Sequence, residues 1–275
     1  MFNVWLLRWT LACCAVGLSM SATAADVQQY CSRPMRVALF EFGVMYRSAT
    51  GDGIDARLVD ALSKRTGCTF VQVVLPRNRI WNELQNGSLD FATAAIPTPE
   101  RKVYGYLLPY LKTRNLVLMR SATAAQATTM TEFEASTLRM GVVRGFRHEE
   151  VYDQMIARLA AQQKVVEASD VADDLRLLER GVVDAILSQP IVFRQYLDAQ
   201  RIQNELVLRD WAPKEQYSLG ALILSKKSFT QDQARRWDAL LVAMQRDGTL
   251  LKINREFLPA DQARDLVYTG PRSPD

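Results

Sequence analysis

Runs of apolar residues along this chain change period repeatedly, between the unbroken runs of buried strands and the three-to-four spacing of helices. Met35–Phe40 reads as a first strand, followed by a loop rich in aromatics, Phe40, Phe42 and Tyr46. Gly51-Asp52-Gly53 interrupts the chain. Asp55–Thr66 then carries Leu58, Val59 and Leu62 at helical spacing and stops at Gly67. Thr69–Leu75 predicts a second strand, and Arg79–Gln85 a short helix with Ile80, Trp81 and Leu84 inward. Asn86-Gly87 closes that helix, since both residues tolerate the left-handed conformation needed there. Leu89–Ile96 is short, apolar and rich in small residues, as expected of a strand covered on both faces. Pro97 and Pro99 forbid its continuation. Such a β-α-β-α-β run predicts a parallel sheet with right-handed crossovers.

The second half repeats the logic. Leu138–Val143 predicts a strand, Arg144-Gly145-Phe146-Arg147 a turn, and Glu149–Gln162 a helix burying Val151, Tyr152, Met155, Ile156 and Leu159. Ser169 or Asp170 can cap the next helix, with Asp173 in its first turn and Gly181 at its end. The segment LERGVVDAIL copies the pattern of LQNGSLDFAT: helix, Gly, two residues, Asp, buried strand. Two similar α/β lobes are therefore expected rather than one sheet. Between them, Asn115–Arg120 predicts a strand and Ser121–Thr129 a polar surface connection. Ile191–Leu197 begins another helix, Tyr217–Leu224 predicts a returning strand, and Asp232–Arg246 a helix with Trp237, Leu240, Leu241 and Met244 on one face. After Leu258 the sequence turns polar and aperiodic, so 261–275 is expected to be a tail that is loose from Thr269.

Residues 1–25 stand apart. Arg8, the apolar run Leu11–Leu18 and Ala22-Thr23-Ala24 have the form of a secretory signal peptide with an A-x-A cleavage site, and the apolar run is too short to span a bilayer. Cys13 and Cys14 lack a lipoprotein context, so a soluble exported protein is expected. Removing Arg8 leaves 33 of the 34 basic residues against 30 acidic ones, a net charge of +3, without a cluster of Lys and Arg. That balance argues against a nucleic-acid partner. Cys31 and Cys68 each precede a predicted strand. If those strands are parallel neighbours a bridge between them is geometrically open, and an oxidising compartment favours it over two free thiols.

The stretch Gly87–Pro109 carries a resemblance. Gly, two residues, Asp, a small apolar strand, then Thr98-Pro99-Glu100-Arg101 and Pro109-Tyr110 resemble family 3 of the bacterial extracellular solute-binding proteins, the polar-amino-acid receptors of ABC importers. Gly53 with Asp55, and the closing Asp247-Gly248-Thr249-Leu250 with Phe257, extend the likeness over about residues 33–258. The resemblance implies a type II periplasmic binding fold: two Rossmann-like lobes with a ligand cleft between them. Lobe 1 would comprise 26–118 and 218–260, and lobe 2 119–217. It also implies a periplasmic monomer that takes a small carboxylate-bearing ligand, with an inner-membrane ABC permease as partner and no cofactor or metal.

Matched residue by residue, Arg101 takes the place of the Arg that grips the ligand's carboxylate, a fork suited to that group. Thr93 and Ala94 fall among the small residues beside the ligand. Gly43 stands where the family puts its stacking aromatic, leaving Phe42 or Tyr46 as substitutes. The second lobe's anion loop is Gly145-Phe146-Arg147, where helix-start N–H groups favour an anion. Gln189 replaces the family's ammonium-binding Asp. Two cations and an amide tilt the expected ligand towards an acidic or non-α-amino organic acid, unless Glu41, Asp55 or Glu215 supplies the missing charge. His148, the chain's single histidine, is expected at an exposed helix start, and no Ser-His-Asp or metal constellation surrounds it. A dehydratase-type enzyme and a ligand-sensing module are the alternatives on the same fold.

Overall fold

In this computed structural model, residues 28–197, 206–214 and 217–272 are described. The signal-peptide region and Glu215 lie outside them. In the first lobe β1 (Met35–Leu39), α1 (Ile54–Thr66), β2 (Phe70–Val74), α2 (Arg77–Asn86) and β3 (Phe91–Ala95) follow in the predicted order. Gly67 and Gly87 close the two helices in left-handed conformation, at φ 72° and 84°. β1 lies between β2 and β3 and is parallel to both. A short helix, α3 (Pro99–Tyr104), leads into β4 (Gly105–Thr113).

The chain then crosses between Thr113 and Leu116. β5 (Leu116–Arg120) already belongs to the second sheet, pairing antiparallel with β8 (Ala185–Ser188) and β9 (Leu206–Arg209). Residues 116–118, expected in lobe 1, are thus on the other side of the crossing. Ser121–Thr129 is not merely a surface connection. α4 (Ser121–Gln126) buries Thr123 and Ala124, and α5 (Met130–Ala135) starts on a capping box formed by Thr129 and Glu132. The parallel unit follows as β6 (Met140–Val143), α6 (Glu150–Ala161), β7 (Val165–Ala168) and α7 (Val171–Glu179), before β8 and α8 (Pro190–Leu197). Asp170 is the cap of α7, its carboxylate accepting from the Asp173 N–H at 2.8 Å. β7 and β9 escaped prediction because they are half-exposed edge strands without the buried apolar run that marks the equally short β6 and β8.

The returning strand, β10 (Ser218–Ser225), inserts antiparallel between β3 and β4, giving the order β2-β1-β3-β10-β4; the second sheet runs β7-β6-β8-β5-β9. α9 (Gln231–Arg246) and α10 (Thr249–Arg255) follow. Trp237 on α9 is fully buried against Phe91, Phe70 and Tyr30, with ring centres 5.1, 6.1 and 5.2 Å away. The expected tail from 261 contains α11 (Ala260–Leu266), which buries Ala263 and Leu266. Val267 bridges to Leu111, and the Tyr268 N–H donates to Tyr110 O at 3.2 Å. That apolar run is too brief to stand out among its polar neighbours.

Cys31 and Cys68 close a disulfide with Cα atoms 6.0 Å apart, as the parallel β1–β2 pairing permits. The bond closes a loop of 37 residues. Loss of chain entropy in the unfolded state makes such a bridge worth about 3–4 kcal/mol. We expect Cys31→Ser/Cys68→Ser to lower the Tm by on the order of 10 °C in a calorimetric scan. An unchanged Tm would show that the bridge adds nothing to stability.

Candidate functional site

The carboxyl ends of β1, β2 and β3 face those of β6, β7 and β8, and loops from both lobes meet there, where open α/β sheets place small ligands. The lobes touch through specific pairs. The Phe42 and Phe146 rings are 5.5 Å apart, and Trp81 Nε1 donates to Gly145 O at 3.2 Å. Arg147 Nη2 lies 3.5 Å from Glu100 Oε2 at the exposed rim. A side chain at Gly43, whose φ is +61°, would set its Cβ 2.4 Å from Val192 O on α8, so only glycine lets the two backbones approach this closely.

Two cavities flank the Phe42–Phe146 contact. The larger, about 250 Å³, is lined by residues 40–42, Ser48, 74–77, Val143, Phe146 and 169–171. The smaller, about 10 Å³, is lined by Phe42, Ala94, Ile96, Phe146 and Gln189, with residues of β4 and β10. Phe42, Phe146, Ala94 and Gln189 are therefore brought together, and Gln189 is buried. Thr93, Tyr46, Gly145, Arg101 and Arg147 line neither cavity. Tyr46 is a core residue. Thr93 is fully buried, with its hydroxyl beside the Asp55 carboxylate.

Arg101 sits in the first turns of α3, where Thr98 Oγ1 accepts from its N–H. Its guanidinium is buried, donates through Nη1 to Ile96 O at 2.8 Å, and lies 3.8 Å from the Trp81 ring. Burial lowers its pKa to about 10; the Arg147 charge acts in the same direction, against Tyr104 and Glu100. Arg147 itself is half exposed and lies within reach of Glu100 and Asp153.

Asp55, a candidate counter-charge, is 1% exposed and accepts a 2.5 Å hydrogen bond from the Tyr110 hydroxyl. That hydroxyl in turn accepts from the Ala94 N–H at 3.1 Å. Ala94 is held at φ +48°, a conformation that costs a non-glycine residue energy and recurs at binding sites. Glu41 accepts from the Ser48 N–H. His148, expected to be exposed, is buried: its ring packs 4.8 Å from Phe146 and its Nδ1 lies 3.3 Å from Asp153 Oδ1. Helix polarity alone did not reveal that Phe146 would cover it.

Sequence reasoning missed Arg77. It is the first residue of α2, buried, with its guanidinium carbon 3.8 Å from the Phe40 ring centre. The signal was present: a cation in the first turn opposes the helix dipole, and Arg77 follows Pro76 at the end of a strand.

A model of the bacterial extracellular solute-binding proteins, family 3, matches residues 36–260. No curated protein matches the sequence. Among solved structures, an ancestral arginine-binding protein bound to arginine gives a TM-score of 0.68 at 19% identity, covering 82% of this chain and 98% of the other. The arginine-, lysine-, histidine-binding protein ArtJ from Geobacillus stearothermophilus gives 0.67 at 16%, covering 84% and 99%. An ancestral amino acid-binding protein described as a precursor of cyclohexadienyl dehydratase gives 0.67 at 19%, covering 82% and 96%. At these identities the likeness carries the fold.

Burial raises the Asp55 pKa to about 6, against the Tyr110 hydrogen bond that lowers it. Between the ordinary Asp value and 6 the folded protein therefore holds a proton that the unfolded chain releases, and stability falls as pH rises through that window. Asp55→Asn keeps an acceptor for Tyr110 and removes the titration. Its Tm relative to wild type is expected to climb from pH 4 to pH 7 and then level off. A difference independent of pH would show that Asp55 titrates normally.

Proposed function

The chain belongs to family 3 of the bacterial extracellular solute-binding proteins, and on that premise we propose that it captures a small carboxylate-bearing solute between its lobes. The observation that carries this reading is a pair of buried guanidinium groups at the cleft, Arg77 and Arg101. Among the described residues neither forms an ion pair with a carboxylate. A dehydrated cation without a counter-ion is costly, and an anionic guest supplies the missing charge. Closure of the lobes then excludes water and strengthens each contact. The neutral amide of Gln189 beside Ala94 suits an acid whose recognition does not turn on an α-ammonium.

Export after removal of residues 1–25, a monomeric state and delivery of the solute to an inner-membrane ABC permease complete the proposal. Among the described residues no helix is long and apolar enough to cross a membrane. Catalysis on the same fold has one feature in its favour, the buried carboxyl of Asp55 at about 6. That group is committed to Tyr110 and lines neither cavity.

A thermal-shift screen of residues 26–275 against amino acids, dicarboxylates, keto acids and sugars tests the reading. A carboxylate at about 100 times its Kd should add roughly 2.7 kcal/mol, a rise of several degrees, and its primary amide should add far less. Equal shifts from acid and amide, or shifts from sugars alone, would refute it. Conversion of prephenate to an aromatic product would establish catalysis instead.

A further inference from the structure

The two buried guanidinium groups are not equivalent. Arg101 spends Nη1 on Ile96 O and lines neither cavity. Arg77 is 5% exposed, and among the described residues nothing accepts a hydrogen bond from its Nη1 or Nη2. Three rings surround its guanidinium carbon: Phe40 at 3.8 Å, Phe146 at 4.3 Å and Phe42 at 4.7 Å from their centres. Rings at these distances lie against a guanidinium and recover part of its lost hydration, but they offer no acceptor to its N–H edges. Burial pushes Arg77 well below the usual arginine range, and the Arg101 charge adds to this while Asp55 opposes it. Asp55 makes no ion pair with Arg77; its Oδ1 takes the Tyr110 hydroxyl.

Arg77 also begins a ten-residue helix, whose free N–H groups add positive potential at the same spot. It lines the cavity of about 250 Å³, whose other walls are mainly apolar, including Val74, Leu75, Val143 and Val171; the polar members are Ser48, Ser169, Glu41, which accepts from the Ser48 N–H, and Asp170, which accepts from the Asp173 N–H. Phe146 comes from the second lobe. Separation of the lobes draws that ring off the guanidinium and opens the Arg77 edge to an incoming anion.

We infer that Arg77, rather than Arg101, takes the ligand's carboxylate, and that the ligand is a small monocarboxylate with an apolar body seated on the Arg77 side of the Phe42–Phe146 contact. The inference rests on the carboxylate-receptor reading above and specifies its site. A planar carboxylate matches the in-plane pair of N–H edges that the described residues leave unpaired, and the apolar walls take the rest of the molecule.

The test is calorimetric titration of residues 26–275 with phenylacetate, isovalerate, L-phenylalanine and L-leucine, with phenylacetamide as the neutral control and L-glutamate and succinate as polar acids. Wild type is expected to bind at least one of the apolar acids and not the amide. Arg77→Met should weaken that binding at least 100-fold while its ligand-free Tm equals or exceeds that of wild type, because an unpaired buried charge has been removed. A structural arginine would show the opposite, a lower Tm with binding retained. Arg77→Lys, a point charge without the fork, should lose about tenfold, and this variant decides the matter if Arg77→Met does not fold. Arg101→Met, which removes only a neighbouring charge, should lose less affinity than Arg77→Met and keep the preference for acid over amide. Wild-type affinity in the Arg77 variants, or loss confined to Arg101→Met, overturns the anchor. Binding of glutamate or succinate alone overturns the apolar class but leaves the receptor reading intact. Silence of wild type towards every acid removes the receptor reading itself.

Discussion

The strand Ser218–Ser225 lies between β3 and β4, and the geometry of the cleft hangs on that insertion. Its pairing slips register opposite both neighbours, between Ala221 and Ile223 on the β3 side and between Gly220 and Ala221 on the β4 side. Bulges of this kind bend a strand and redirect its end. Beside the slip, Ala94 adopts its left-handed conformation and the chain turns away through Ile96 towards Arg101. Gly220 makes room for Leu111, which would meet a Cβ at 2.5 Å. Without β10 the edge that presents the small residues to the cleft would have neither its bend nor its hydrogen-bond partner.

Behind that edge the protein concentrates ionisable groups in a dry interior. Asp55, Arg77, Arg101 and Tyr110 are all buried, and Arg77 and Arg101 repel each other. Hydrogen bonds settle part of the arrangement: Tyr110 links Asp55 to the Ala94 backbone, and Ile96 O accepts from Arg101. The remainder is an excess of positive charge facing aromatic rings, and closure adds Arg147 at the rim. In a medium of low polarisability such an excess acts strongly on any anion that enters.

Much of the fold was legible because its cues are local. Gly67 and Gly87 stop helices, Pro97 and Pro99 end β3, and the repeated Gly-x-x-Asp pattern marks two equivalent units. The half-exposed edge strands β7 and β9 lack the buried apolar run that marks the equally short β6 and β8, and α11 hides its two buried residues in a polar segment. The disulfide was legible from the starts of two adjacent strands. At the site, Phe42, Phe146, Ala94 and Gln189 line one small cavity. The position of a charged side chain relative to a cavity depends on packing from both lobes, which no single stretch encodes. Arg77 was therefore overlooked, and His148 was expected in solvent although Phe146 covers it.

Gly43 lies where the two lobes come closest, its backbone against that of Val192 on α8. An aromatic there would act as a wedge between the lobes, holding them ajar. The ring at this edge is Phe42, one residue upstream, which packs on Phe146, while backbone meets backbone at 43. Ring contact and backbone clearance between the lobes are thereby carried by two neighbouring residues. A bulky side chain could stand at position 43 only if α8 withdrew.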